Sequence, residues 1–167
     1  ITTNGTFQAS GTGSFEVAKN FTNNGIFTHN SGTVIFDTTN TTIFDGSGTP
    51  AITFYNFSST TAGKTLQFTD SKTFRIEGLF TVTGAPGNKI NINSTTTNQW
   101  LADHQGTENL TYAAVQNSGC AGGTTDITVE PTGSDEGNNG ACWIFLLTPK
   151  RTRIKGNVRV KSGVRIK

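Results

Sequence analysis

Methionine is absent from these 167 residues, proline occurs four times, cysteine only twice, and Leu, Ala, Glu and Lys are all scarce. With so few strong helix formers, helix is a poor fit. The Thr, Ser, Asn and Gly that take their place suit turns, joined by strands rich in Thr, Phe, Val and Ile. Charged residues make up only 14% of the chain. No apolar run approaches the roughly 20 residues of a membrane helix, so no membrane span is expected. The chain opens at Ile1 without a Met, which fits a processed mature form or part of something longer.

What is present is organised as a repeat. Asn4-Gly5-Thr6-Phe7 followed by Gly13-Ser14-Phe15-Glu16 recurs twenty residues later as Asn24-Gly25-Ile26-Phe27 followed by Thr33-Val34-Ile35-Phe36-Asp37. Each copy reads as turn, strand, turn, strand. A looser version continues through Thr42-Ile43-Phe44-Asp45, Ala51 to Phe57, Thr65 to Phe68, Thr73 to Ile76, Leu79 to Val82 and Lys89 to Ile92. A unit this short cannot bury its own apolar face and needs neighbours above and below. The expectation is therefore an all-β, right-handed parallel β-helix, a β-solenoid in which Phe7, Phe27 and their successors stack inside. A β-sandwich is the alternative, since it too uses short strands at regular spacing.

The expected solenoid body spans residues 1–149. From Asn98 its texture becomes irregular, with Trp100, the run Leu110 to Val115, Asp126-Ile127-Thr128-Val129 and Cys142-Trp143-Ile144-Phe145 separated by longer excursions. Cys120 and Cys142 are expected to pair in these final coils, closing a loop that contributes about 3 kcal/mol in the chain-entropy model. A disulfide in a loop-rich, Thr/Asn-rich chain implies an oxidising, extracellular setting.

The charge is divided unevenly along the chain. Residues 150–167 carry eight of the thirteen Lys and Arg and no acidic residue, while residues 1–149 hold five Lys and Arg against all eleven Asp and Glu. The overall +2 thus conceals a body of −6 and a tail of +8. From Ile154 every even position is apolar or small, so the tail reads as a strand with one buried face. Gly156-Asn157 and Ser162-Gly163 would instead permit short hairpin turns. No aromatic is interleaved with the cations, so nothing offers base stacking and no nucleic-acid partner is expected.

Candidate chemistry is thin. Polysaccharide cleavage calls for clustered carboxylates, and Asp135-Glu136 is the only adjacent pair; a solvated loop accounts for it. Asp135 to Gly140 echoes a calcium loop but has Gly at the third position and no late Glu. His29 and His104 stand alone and read as surface or turn residues, and no Cys or His spacing suits zinc. No metal, cofactor or enzymatic activity is expected. Trp100, Tyr112, Trp143 and Tyr55 read as core or cap residues before they read as a sugar platform. Six Asn-x-Ser/Thr sequons, at Asn4, Asn20, Asn40, Asn56, Asn93 and Asn109, do not by themselves imply glycosylation.

The Asn-Gly-x-Phe repeats, together with Asn109 to Tyr112, Gly137 to Gly140 and Trp143 to Phe145, resemble repetitive bacterial β-solenoid surface proteins of the broad filamentous-haemagglutinin and autotransporter type. The resemblance implies an extracellular β-helix used in adhesion or assembly. The basic tail lies outside that pattern. Opposite charges carried on one chain suggest self-association, with the tail docking on a neighbouring copy through Ile154, Val158, Val160, Val164 and Ile166 and through Arg159, Lys161 and Arg165. The expected function is the subunit of an extracellular homopolymeric filament; the alternative is a glycan- or cell-surface-binding adhesin or spike module whose tail caps its own solenoid.

Overall fold

The computed structural model describes residues 1–9, 11 and 13–148. Among them there are twenty strands of two to five residues and no helix. The strands wind in seven coils. The first coil holds β1 (Thr2–Thr3), β2 (Thr6–Gln8) and β3 (Ser14–Glu16), and the second β4 (Phe21–Asn23), β5 (Ile26–Thr28) and β6 (Thr33–Ile35). The third and fourth hold β7 (Thr42–Gly46), β8 (Ile52–Phe54), β9 (Asn56–Ser59), β10 (Thr65–Phe68), β11 (Thr73–Ile76) and β12 (Leu79–Thr83). The fifth and sixth hold β13 (Ile90–Ser94), β14 (Trp100–His104), β15 (Thr107–Thr111), β16 (Ala113–Val115), β17 (Ser118–Cys120) and β18 (Ile127–Val129). The last has β19 (Ser134–Asp135) and β20 (Trp143–Phe145).

Every third strand pairs with its counterpart in the next coil, giving three faces. The first is β1-β4-β7-β10-β13-β16-β19, and the third is β3-β6-β9-β12-β15-β18-β20. The second is split into β2-β5 and β8-β11-β14-β17. All pairings between strands are parallel, which an antiparallel sandwich does not produce. The chain is a β-solenoid. Its twenty-residue period holds between the first two coils, where Thr2 pairs with Thr22, and again where Ala114 pairs with Ser134, but Thr73 pairs with Leu101 and Ile127 with Trp143. Insertions at corners leave the stacking intact, because the hydrogen bonds that set register run between strands and not through turns.

Alternation along each strand fills the interior. Phe21, Phe44 and Phe68 rise in register on the first face, with Phe44 and Phe68 stacked at 4.5 Å, and Trp100 stacks on Phe68 at 4.1 Å. On the third face the inward column is Phe15, Val34, Phe57, Phe80, then Glu108, Ile127 and Trp143. Each fully buried Phe removes enough apolar surface from water to stabilise the fold by about 2–3 kcal/mol. Phe7 and Phe27 stack at 5.8 Å as the repeat predicts, though only partly buried at the first coils.

Corners are where the sequence reading needs correction. The run Ala51 to Phe57 is two strands bent at Tyr55, and Leu110 to Val115 is two strands bent at Tyr112, whose φ is 49°. One corner is nearly all glycine: Gly32, Tyr55, Gly78 and Gly106 lie in register, and Thr107 N donates to Gly78 O. A Cβ on Gly106 would fall inside the contact distance of Gly78 O, so backbones stack there without side chains.

Candidate functional site

A depression of about 570 Å³ lies on the outer side of the first face. Its floor is Ala114, which pairs with Asn91 on one side and Ser134 on the other. Its wall is the turn Ala85-Pro86-Gly87-Asn88, closed by an Asn88 N to Ala85 O bond of 2.9 Å. Pro at the second place and Gly87 at φ 73° at the third fit a type II turn. Asn88 O in turn accepts from Gly63 N at 3.2 Å, fixing the wall to the coil below. Lys89, Asn91, Gln116 and Glu136 complete the lining. Gln116 Nε2 donates to Glu136 O at 3.2 Å, and Glu136 Oε1 accepts from Ser134 Oγ at 2.5 Å. The volume suits a small ligand, but the lining is amide and charge with no aromatic, so any recognition would run through hydrogen bonds. The Pro-Gly pair was a readable turn signal in the sequence; its meeting with Glu136 was not.

A second polar cluster is internal. His104 is 1% exposed, not a surface residue, because β14 registers it with Ile76 and Phe54 on the inner side of the second face. Its Nδ1 lies 2.9 Å from Thr125 Oγ1, and its Nε2 stands 3.8 Å from Glu108 Oε2. Glu108 occupies an inward position between Phe80 and Ile127, and its Oε1 accepts from Thr128 N at 2.9 Å. Beside them the buried Asp103 takes Arg75 Nε at 2.7 Å and Gln105 Nε2 at 2.5 Å. A cavity of about 10 Å³ lined by Phe74, Phe80, Trp100 and His104 adjoins the cluster, room for about one water and no ligand. These groups bond mostly to one another and bridge coils four to six, while His104 Nε2 is buried without a hydrogen-bond partner among the described residues.

Cys120 and Cys142 form the expected disulfide, with Cα atoms 5.9 Å apart, tying the sixth coil to the seventh. The Asp135-Glu136 pair does not converge on a common point: Asp135 Oδ1 accepts from Gly137 N at 2.8 Å and Asn139 Nδ2 at 2.7 Å, closing its own turn, while Glu136 faces the depression. Among the described residues no three His, Cys, Asp or Glu converge as metal ligands. Trp100 and Trp143 are buried, whereas Tyr55 and Tyr112 sit at different corners, so the four aromatics form no shared platform. His29 is not isolated: its ring stacks on Tyr55 and its Nε2 lies 3.3 Å from Glu77. The sequon residues Asn20 and Asn56 accept from Ile43 N and Leu79 N and serve as links between coils.

One structural group had no signal in the sequence. Lys64 is fully buried, with its Nζ donating to Thr38 O and Asn40 O, both at 2.7 Å. Burial holds its pKa below the ordinary 10.5, against the opposing pull of the Asp37 carboxylate.

The tail residues Ile154, Val158, Arg159, Val160, Lys161, Val164, Arg165 and Ile166 lie outside the described residues. No protein family, curated protein or solved structure matches the chain.

Proposed function

We propose that this chain is a structural, non-catalytic subunit of an extracellular filament or surface fibre, a right-handed solenoid that stacks head to tail with residues 150–167 docking against the next copy. The hand follows the strong preference of parallel strand crossovers. The supporting observation is the condition of the two ends: among the described residues no strand lies beyond β1, β2 and β3 at one end or beyond β17, β19 and β20 at the other. Unpaired parallel edges in register are templates for another chain, and a contact between unlike ends does not close on itself. The disulfide fits an oxidising compartment. Deleting residues 150–167 is expected to leave monomers by light scattering, and the full-length Val158→Asp/Val160→Asp protein is expected to do the same. Filaments of either variant seen by electron microscopy would sink the reading.

The depression over Ala114 favours a second reading, a glycan-binding adhesin or spike module. Saturable binding on a glycan array, lost on Lys89→Ala/Glu136→Gln substitution in a protein that never polymerises, would put it first.

A further inference from the structure

The geometry points to the depression over Ala114 as a seat for one kind of acidic glycan, an oligosaccharide in which a uronate unit alternates with an uncharged sugar. Such a site presupposes the glycan-binding reading of the depression and is indifferent to polymerisation, because end-to-end stacking leaves the outer side of the first face open.

The depression owes its room to small residues. β16 turns Ala113 and Val115 into the core and Ala114 outward, where a single methyl stands between Asn91 and Ser134 of the neighbouring coils. Gly87, with nothing within 4 Å of the place of its missing Cβ, keeps the rim of the wall open. Asn88 is fixed by the bond from Gly63 N to its carbonyl, and its Oδ1 occupies the place that a Cβ on Gly63 would take.

The polar groups around that floor are largely unspent. Among the described residues Lys89 is in no ion pair, the Asn91 side chain makes no hydrogen bond, and Glu136 accepts one at Oε1 and none at Oε2. Register sets how far apart the two charges stand. Val115 pairs with Ile92 on one side and Asp135 on the other, so Glu136 lies two coils above Asn93, while Lys89 lies four residues before Asn93. At strand spacings, the Cα atoms of Lys89 and Glu136 are about 16 Å apart on the diagonal, and with both side chains stretched towards each other about one sugar ring still fits between the charges.

Lys89 is the cation of the lining, and its three N–H donors take a carboxylate through charge-assisted hydrogen bonds. Glu136 only accepts, so neighbouring sugar hydroxyls satisfy it and a second carboxylate is repelled. A wholly neutral glycan has no aromatic to stack on and only exchanges hydrogen bonds with water for hydrogen bonds with amides. A uronate beside an uncharged unit therefore suits both ends of the depression, whereas a run of uronates suits one end and is opposed at the other.

The test is isothermal titration calorimetry of the full chain with three tetrasaccharides: glucuronate alternating with N-acetylglucosamine, the same molecule with its carboxyls reduced to alcohols, and tetragalacturonate. The alternating acid is expected to saturate one site. The reduced form should bind at least about tenfold more weakly, and Lys89→Met should bring the acid down to that level. Glu136→Gln should narrow the gap between tetragalacturonate and the alternating acid, and Ala114→Gln, which fills the floor from an outward position, should abolish binding. Thermal melts of each variant separate lost binding from lost fold. Equal affinity for the acid and its reduced form, both lost in Ala114→Gln, overturns the uronate assignment and keeps a glycan site. Tetragalacturonate binding as tightly as the alternating acid does the same. Binding that Ala114→Gln and Lys89→Met both leave intact overturns the site. No binding of any of the three overturns it too, and the glycan-binding reading falls with it only if the glycan array is also blank.

Discussion

Lys64 shows how one buried residue can carry a pH dependence. Its ammonium is buried with two backbone carbonyls as partners, and replacing it with Met leaves those carbonyls less satisfied, at a cost of about 1–2 kcal/mol near neutral pH. The folded pKa is depressed, so between that value and 10.5 the unfolded chain binds more protons than the folded one. Stability therefore rises with pH through that window. Denaturant titrations of the unaltered and Lys64→Met proteins should show a gap that widens as pH approaches 10.5; a gap that narrows would contradict the burial cost. Nothing in the pattern around Gly63-Lys64-Thr65 distinguished this lysine from a surface one. Its inward place follows from pairing Thr65 with Asn91, a fact of register across coils.

At the scale of the element, the strands were legible and the corners were not. Short runs of Thr, Phe, Val and Ile flanked by Gly and Asn marked most strands through Ile92, because the period-two pattern is local, but the two-strand reading of each repeat left out β1 and β4, the third strand of the first two coils. The bends at Tyr55 and Tyr112 were hidden inside apolar runs, since a corner in a solenoid is imposed by the coil beneath it. Gly106 records that constraint: Ala there would drive a methyl into Gly78 O and is expected to cost about 2 kcal/mol or more. Gly122, with nothing near the place of its missing Cβ, is the control, and Gly122→Ala should leave the melting temperature within a degree or two. Equal losses at both positions would mean that corner stacking is not what the Gly106 position protects.

The whole molecule is a stack in which each coil touches only its neighbours, so stability should vary along the axis. The first coils have half-exposed Phe7, Phe15 and Phe27 and one uncovered side; the central coils, from β8 to β15, hold most of the fully buried aromatics; the last are tied by the disulfide. Native-state hydrogen exchange should therefore find the slowest amides in β8 to β15 and faster ones in β1 to β6, and uniform protection across the stack would be inconsistent with it. The charge division acts at this scale too. The +8 segment was plain in the sequence, but only coil order gathers Asp126, Glu130, Asp135 and Glu136 on the sixth and seventh coils.

Composition and periodicity by themselves determined that the chain is all-β, repetitive and stacked, because helix propensity, strand alternation and the Asn-Gly corners are local properties that survive any arrangement of coils. The pairing of Cys120 with Cys142 could be anticipated for a similar reason, there being only two cysteines. Only the tertiary structure decided which residue of each coil faces inward, and with it the burial of His104, Glu108 and Lys64 and the meeting of Lys89, Asn91, Gln116 and Glu136 around Ala114. Coil lengths vary from one turn to the next, and a one-residue change in register turns every side chain of a strand to the opposite face. Register is set between coils, where no single stretch of sequence can specify it.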